Sequence, residues 1–565
     1  MNWIDSFGGQ GQRSLLAVLV LLFACTFAYA ESFPAEIDLQ SLRPQNGGDG
    51  SVGFFIRGIA LDDDTGNAVD IIGDFNGDGI DDMLIGAVEV DVGAAEDAGG
   101  AYLLFGRPGG FPPEVFLSDL LPPTGDGSEG VVLLGAAGDD EAGVSVRAAG
   151  DVNGDGLMDV LVGAPNASSP NRFEAGVAYL VFGAMESPPI LRFADLSPPR
   201  GDGSRGVVLR GVETDSRAGD WVSGVGDVNG DGVGDLIVGA SQDDRVDNQA
   251  GASYLVLGRS TPFPPTFDLA SLLPAAGGDG REGLVVLGVN ALDRAGIVSG
   301  GFDVNQDGLS DFAVGAGGSD GGGAPDAGAG SIYLVYGSDT GFSALISARR
   351  LLPQFGGDGS VGAVFEGINS DDNLATSAAA GDLNGDGLED LVMVSGGAEL
   401  GAGEAYVVLG RQVPLGPLFE LQDLLPANGT LIKGEFELEV GGIPDGGSDL
   451  NGDGLDDIVL PGRSDAAYLV FGRPSYPVNF RIGSFLASEG GDGSRGVVLR
   501  GANGSDDAVA IATGGDVNGD GVDDVLIGAR DFDSDRGGAY VLYGMRTSRS
   551  VPGPFGKRRR RVRAD

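Results

Sequence analysis

One nine-residue pattern, Asp-x-Asn-x-Asp-Gly-apolar-x-Asp, recurs seven times along the chain. Its first residues are Asp74, Asp151, Asp227, Asp303, Asp382, Asp449 and Asp516, at successive spacings of 77, 76, 76, 79, 67 and 67. A repeat of this length restricts the fold to arrays in which each unit buries its faces against its neighbours. Two further elements keep step with it. An apolar run ending in small residues follows each nonapeptide, as in Met83-Leu84-Ile85-Gly86-Ala87 and Val160-Leu161-Val162-Gly163-Ala164-Pro165. A Tyr-aliphatic-aliphatic-aromatic-Gly segment comes next, as in Tyr102-Leu103-Leu104-Phe105-Gly106. A strand led by Gly-Asp-Gly precedes six of the seven units, for example Gly201-Asp202-Gly203-Ser204-Arg205-Gly206-Val207-Val208-Leu209. The sixth unit departs from this plan. Gly434-Glu435-Phe436-Glu437-Leu438 stands where its strand is expected, and Pro461-Gly462 replaces the small-residue ending.

Each unit therefore supplies about four short strands joined by Gly-rich turns, with 104 glycines in the chain and no helix long enough for a crossover. A hydrophobic content of 42% is enough for a packed core. Four strands repeated seven times predict an all-β fold, a seven-bladed β-propeller of four-stranded blades. A linear β-solenoid is the competing architecture, but its rungs are much shorter. The first Gly-Asp-Gly strand (residues 48–58) stands alone, and the last unit ends at Tyr540 to Gly544 without one. The N-terminal strand is thus expected to complete the seventh blade. The domain plan is a signal peptide at 1–30, the propeller at 31–545 and a basic tail at 546–565.

The nonapeptide has the composition of a calcium loop. Calcium takes six to eight hard oxygen ligands, and Gly at position 6 permits the reversal that gathers them. The expected donors are positions 1, 3, 5 and 9 by side chain and position 7 by backbone carbonyl, with the position-7 side chain turned into the blade. In chain order they are Asp74, Asn76, Asp78, Ile80 and Asp82; Asp151, Asn153, Asp155, Leu157 and Asp159; Asp227, Asn229, Asp231, Val233 and Asp235. They continue with Asp303, Asn305, Asp307, Leu309 and Asp311; Asp382, Asn384, Asp386, Leu388 and Asp390. Asp449, Asn451, Asp453, Leu455 and Asp457, then Asp516, Asn518, Asp520, Val522 and Asp524, complete the set. The fourth copy carries Gln306 where the others have Gly. An EF-hand or dockerin loop would need an acidic residue at position 12, where this chain has Ile85, Val162 or Val238. Three carboxylates per loop repel one another without a cation, so about seven Ca2+, one per blade, are expected.

The calcium loop, the Gly-Ala or Gly-Ala-Pro that follows it and the Phe-Gly ending resemble FG-GAP repeats, the units of the integrin α-subunit propeller, over roughly residues 35–545. The resemblance implies a seven-bladed propeller with calcium in the first hairpin of a blade. All seven units carry the loop here, whereas integrins keep it in only some blades. The remaining parts of an integrin α chain are missing, so heterodimerisation and signalling are not carried over.

Composition narrows the function. The net charge is −49, which repels phosphate backbones and argues against nucleic acid. There is no histidine, Cys25 is the single cysteine, and Lys433 is the one lysine before the tail. Ser-His-Asp and Cys-His catalysis and zinc sites on His or Cys are thereby excluded. Residues 1–30 have the Arg13 flank, an apolar stretch at 14–23 and an Ala28-Tyr29-Ala30 cleavage site, which predicts secretion with no spanning segment left. An uncleaved anchor, or a lipoprotein box at Leu22-Phe23-Ala24-Cys25, are the alternatives. The expectation is a secreted or cell-surface adhesion or protein-interaction module, a monomeric ring binding an extracellular protein or glycan, and not an enzyme. A lectin-like propeller is the first alternative. A hydrolase is the second, and it requires a convergent carboxylate pair outside the loops. Recognition is expected on the variable loops at 89–98, 165–175, 241–250 and 317–329, opposite the calcium hairpins. Arg200-Gly201-Asp202, a tripeptide that integrins recognise, is read as coincidence within the recurring Gly-Asp-Gly element. Asn166, Asn428 and Asn503 begin glycosylation-type triplets.

Overall fold

The computed structural model describes residues 33–169, 171–319, 328–412, 415–435, 439–462, 466–501 and 510–546. The leader and the basic tail lie outside them. The described strands form seven separate sheets. In blade 1 the inner strand Thr65–Gly73 pairs with Asp82–Ala87, which pairs with Gly100–Leu104, which pairs with the outer strand Gly130–Leu134, all antiparallel. The inner strands of the other blades are Val146–Gly150, Trp221–Gly226, Ile297–Phe302, Leu374–Gly381, Asp445–Ser448 and Ile511–Gly515. Each inner strand touches the next around the circle, and the seventh touches the first, so the sheets form a closed ring.

The blades have five strands, not four. The connection between the third and outer strands of each blade runs back over the preceding blade. There it lays three residues parallel to the free outer edge, as Ile190–Arg192 does on Gly130–Leu134. The equivalents are Thr266–Asp268, Leu345–Ser347, Leu418–Glu420, Asn479–Arg481, Glu36–Asp38 and Glu114–Phe116. Three residues are too few for an alternation pattern to show in sequence. Their physical role is to cover an edge whose backbone groups would otherwise be unpaired.

The ring closes where the sequence phase placed it, and with one strand more than expected. Gly53–Arg57 is the outer strand of blade 7, with Phe55 opposite Tyr540. Glu36–Asp38 is also the fifth strand of blade 6, with Ile37 opposite Leu499. One N-terminal segment thus ties two blades. The sixth-unit expectation needs correcting. The strand equivalent to the Gly-Asp-Gly-led ones is Gly429–Lys433, which pairs with Glu404–Val408 and Asn479–Arg481. Asn428-Gly429 leads it. Of the segment proposed for it, 436–438 lies outside the described residues.

Every sheet is buried on both faces. Asp82–Ala87, Asp159–Ala164, Asp235–Ala240 and Asp311–Ala316 are buried along their whole length, which is why they read as unbroken apolar runs. The core is seven clusters, each sandwiched between two neighbouring sheets; Leu84, Leu103 and Val131 of blade 1 meet Val160, Val162 and Tyr179 of blade 2 in one of them. The small-residue ending sets how closely the blades approach: a Cβ on Gly163 would lie 2.0 Å from the carbonyl oxygen of Gly219, just before the next inner strand. Among the described residues, helix is limited to 3-10 turns and the four-residue segments Ala398–Gly401 and Phe532–Asp535. None is long and apolar enough to cross a membrane.

Candidate metal-binding loops

The seven nonapeptides form the turn between inner and second strands, so all lie on one face of the ring. Position 1 begins as the inner strand ends, and position 9 is the first residue of the second strand. The local fold follows from Asp and Gly chemistry. The position-1 carboxylate accepts the N–H of position 6 in all seven loops, at 2.6–2.9 Å. The position-5 carboxylate accepts the N–H of position 7, at 2.9–3.0 Å. Position 4 has a left-handed backbone, which Gly adopts freely. Gln306 sits there with φ 61°.

Position 9 explains why the repeat elements travel together. Its Oδ2 accepts the N–H of position 2 in every loop, at 2.9–3.0 Å. Its Oδ1 accepts the N–H of the glycine that ends the third strand, Gly106 in blade 1 and Gly183 in blade 2, at 2.7–2.9 Å. A Cβ on Gly183 would lie 2.6 Å from Leu157 Cβ, so the Phe-Gly ending must be Gly to reach the carboxylate. All seven position-9 side chains are fully buried.

That burial has an electrostatic cost. Burial pushes the carboxyls of Asp82, Asp159 and Asp524 up to about 8 and those of Asp235, Asp311 and Asp390 to about 7. Asp457 is also raised far above its ordinary range. The two backbone N–H bonds oppose the rise, and the carboxylates at positions 1 and 5 add to it. The charges bearing most strongly on each buried carboxylate are thus negative, the setting in which a cation is most stabilising. In the sixth loop the Asn451 side chain is 2% exposed and its Oδ1 has no hydrogen-bond partner. Hard oxygen donors, absent counter-charge and this orphaned acceptor fit a divalent ion such as calcium. As the side chains stand, no group of three or more acidic residues among the described residues is gathered to metal-ligand geometry. Position 1 is drawn onto the loop's own amides and position 5 onto position 7.

The FG-GAP repeat family model matches residues 142–181, 219–256 and 374–408. Each match spans the inner, second and third strands of one blade, namely blades 2, 3 and 5. The chain contains FG-GAP repeats. It is similar to the phosphatidylinositol-glycan-specific phospholipase D of Mus musculus, 34% identical over 185 residues, which is 31% of this chain and 18% of that protein. The enzyme of the same name from Dictyostelium discoideum is 27% identical over 201 residues, 33% of this chain and 19% of that protein. Integrin alpha-PS2 of Drosophila melanogaster is 28% identical over 177 residues, 31% of this chain and 11% of that protein. The chain spans less than a fifth of the length of these relatives.

Two loop positions make contacts between blades that the repeat does not describe. The position-7 side chain lies against its own blade, where a Cβ on Gly106 would meet Ile80 Cγ2 at 2.7 Å, and also reaches across the blade boundary, where a Cβ on Gly77 of the first loop would meet Leu157 Cδ2 of the second at 3.2 Å. Position 8 escaped the sequence reading because its identity varies. It reaches the preceding loop: the Asp382 N–H donates to Asp456 Oδ2 at 2.7 Å, and the Asp516 N–H to Asp81 Oδ2 at 2.8 Å.

Carboxylates outside the loops also come together, in the central channel of the ring. Asp70 and Asp445 lie on the inner strands flanking blade 7, with Arg147 between them in charge. Burial raises Asp70 to about 7; Arg147 opposes this and Asp445 adds to it. Both carboxylates are committed to blade contacts. The Ala148 N–H donates to Asp70 at 2.6 Å, and the Thr513 N–H to Asp445 at 2.9 Å. Residues 70, 147 and 445 are too far apart in sequence for the cluster to be foreseen.

The variable loops lie on the other face, as expected, and they are clipped rather than free. Each accepts an N–H from the turn entering the next blade: Asp139 to Glu96, Asp215 to Phe173, Leu292 to Asn248 and Asn373 to Gly328, at 2.8–3.0 Å. Phe173 at 62%, Leu61 at 53% and Leu292 at 51% exposure stand out from this face, with Val246 beside them in sequence register. Part of the fourth loop, 320–327, lies outside the described residues. The exposed Arg200 and Asp202 side chains are held on local partners. Arg200 pairs with Asp195 at 2.6 Å, and Asp202 accepts the N–H and hydroxyl of Ser204. Asp49, Asp126, Asp358 and Asp492 hold the same turn with their own serines, so the tripeptide belongs to the repeat. Asn503 lies outside the described residues.

Proposed function

We propose that this FG-GAP protein is a secreted, calcium-stabilised interaction module, with seven ions held on one face and a partner bound on the other. The observation that carries the reading is the buried position-9 carboxylate. It repeats in all seven loops with two backbone bonds and two negative neighbours, and a divalent ion balances that charge at each site. The donors are the position 1, 3, 5 and 9 side chains and the position-7 carbonyl. The bound ion supplies charge neutralisation and rigidity to the inner hairpins, and no chemistry. Likeness to an integrin alpha chain supports an adhesion role at the cell exterior. The phospholipase name belongs to proteins of which this chain matches less than a fifth, and a chain without histidine offers little for phosphodiester hydrolysis.

Recognition is assigned to the variable face, where Phe173, Leu292 and Leu61 present apolar surface on clipped, rigid loops. The test is a pull-down from cell-surface extracts with the full chain, in calcium and in chelator, against Phe173→Ser and Leu292→Ser. Calcium-dependent capture lost in the two variants is expected. Capture unchanged in both would move the site elsewhere, and glycan-array binding blocked by free sugar would favour the lectin alternative.

A further inference from the structure

The seven loops fall into two electrostatic groups that the nonapeptide does not reveal. In loops 4 to 7 the first N–H of the loop donates to a carboxylate carried at position 8 of the following blade. Asp303 donates to Glu389 at 2.7 Å, Asp382 to Asp456 at 2.7 Å, Asp449 to Asp523 at 3.3 Å and Asp516 to Asp81 at 2.8 Å. The contact is tight: a Cβ on Gly381, the residue before Asp382, would lie 2.4 Å from Asp456 Oδ2. In loops 1 to 3 the corresponding neighbours are Met158, Gly234 and Ser310, which bring no charge. Their backbone N–H groups donate to the carbonyls of Asp74, Asp151 and Asp227 at 2.9–3.1 Å, a bond that Asp456 also makes to the Asp382 carbonyl at 3.3 Å, so the side-chain carboxylate is what separates the two groups.

Resting on the calcium reading, we infer that loops 4 to 7 bind calcium more tightly than loops 1 to 3, because each borrows a fourth carboxylate across the blade boundary. Site charge and rigidity are the two quantities that tune calcium affinity in oxygen-ligand loops, and the borrowed carboxylate raises both. It adds a negative charge at the first residue of the loop and fixes that residue's backbone. Arg546 reaches the Gly521 carbonyl of loop 7 at 3.5 Å and packs on Gly452 of loop 6, where its charge offsets part of the borrowed one. The position-8 carboxylates are positioning residues for the neighbouring site.

Calorimetric titration of the calcium-stripped full chain is the test, with the melting temperature in excess calcium as the folding control. Four tight and three weaker sites are expected, separated by about tenfold or more in affinity. Asp456→Asn, which keeps an oxygen for the Asp382 N–H, transfers one ion from the tight to the weak group. Ser310→Asp supplies loop 3 with the missing carboxylate and transfers one ion the other way. Seven equivalent sites, or an Asp456→Asn and Ser310→Asp pair that both leave the four-to-three division unchanged, would overturn the inference while leaving calcium binding intact. No heat from a folded chain would overturn the calcium reading itself, and the inference with it.

Discussion

On one face of the ring, seven loops make the same hydrogen bonds at 2.6–3.0 Å around the same buried carboxylate. On the other, the loops share a short run of backbone clips at each blade boundary and otherwise differ in length, charge and exposed apolar residues. Both faces use the same strands. The difference lies in what each loop must satisfy. A position-9 aspartate has to meet a strand-end glycine and a loop amide at once, which leaves little room for change. A loop clipped through backbone carbonyls does not depend on the identity of its side chains. Uniform geometry on the first face suits a common small ion, and side-chain diversity on the second suits a particular partner.

Removing calcium should separate the faces most strongly. Chelation is expected to lower Tm by roughly 10 °C or more, because ions that bind the folded chain stabilise it by mass action at every site. Hydrogen exchange should locate the loss at the inner hairpins and leave the clipped loops less affected. Asp159→Ala comes next. It strands the Val152 and Gly183 N–H groups and opens a buried cavity, for a loss of about 3 kcal/mol by chemical denaturation. An equal loss from Glu96→Ala on the variable face would break the contrast.

Between the faces, the channel carboxylate Asp70 gives a pH test. Its folded pKa is raised to about 7, so the folded chain holds a proton that the unfolded chain releases. Its contribution is therefore fully present below pH 4 and lost as pH rises to 7. In chelator, Asp70→Asn should match the parent protein near pH 4 and exceed it by about 2 kcal/mol at pH 8. A smaller effect is expected from Gln306→Gly, which relieves a left-handed non-glycine residue and should add about 1 kcal/mol. Phe173→Ser, 62% exposed, should change stability by less than about 0.5 kcal/mol while removing partner capture.

Sequence alone carried the blade number, the loop positions and the closure of the ring, because each is written in a spacing or a phase. The 48–58 segment falls to blade 7 because it stands before the first unit and the last unit ends without a strand of its kind. What sequence did not carry are contacts between blades. The fifth strands are three residues long and pair with a different repeat. The Leu157 side chain packs across a boundary that periodicity does not describe. Asp81, Glu389, Asp456 and Asp523 stand at a position where other repeats have Met, Gly or Ser, so pattern matching passes over them. The sixth-unit strand was misplaced by five residues because Asn428-Gly429 replaces the expected Gly-Asp-Gly lead.

The central claim is that the repeated loops are ion sites. Equilibrium dialysis of the folded, stripped chain against radioactive calcium tests it most directly. Saturation at seven ions per chain is the predicted result. A chain that keeps its β-sheet circular dichroism and takes up no calcium would contradict it.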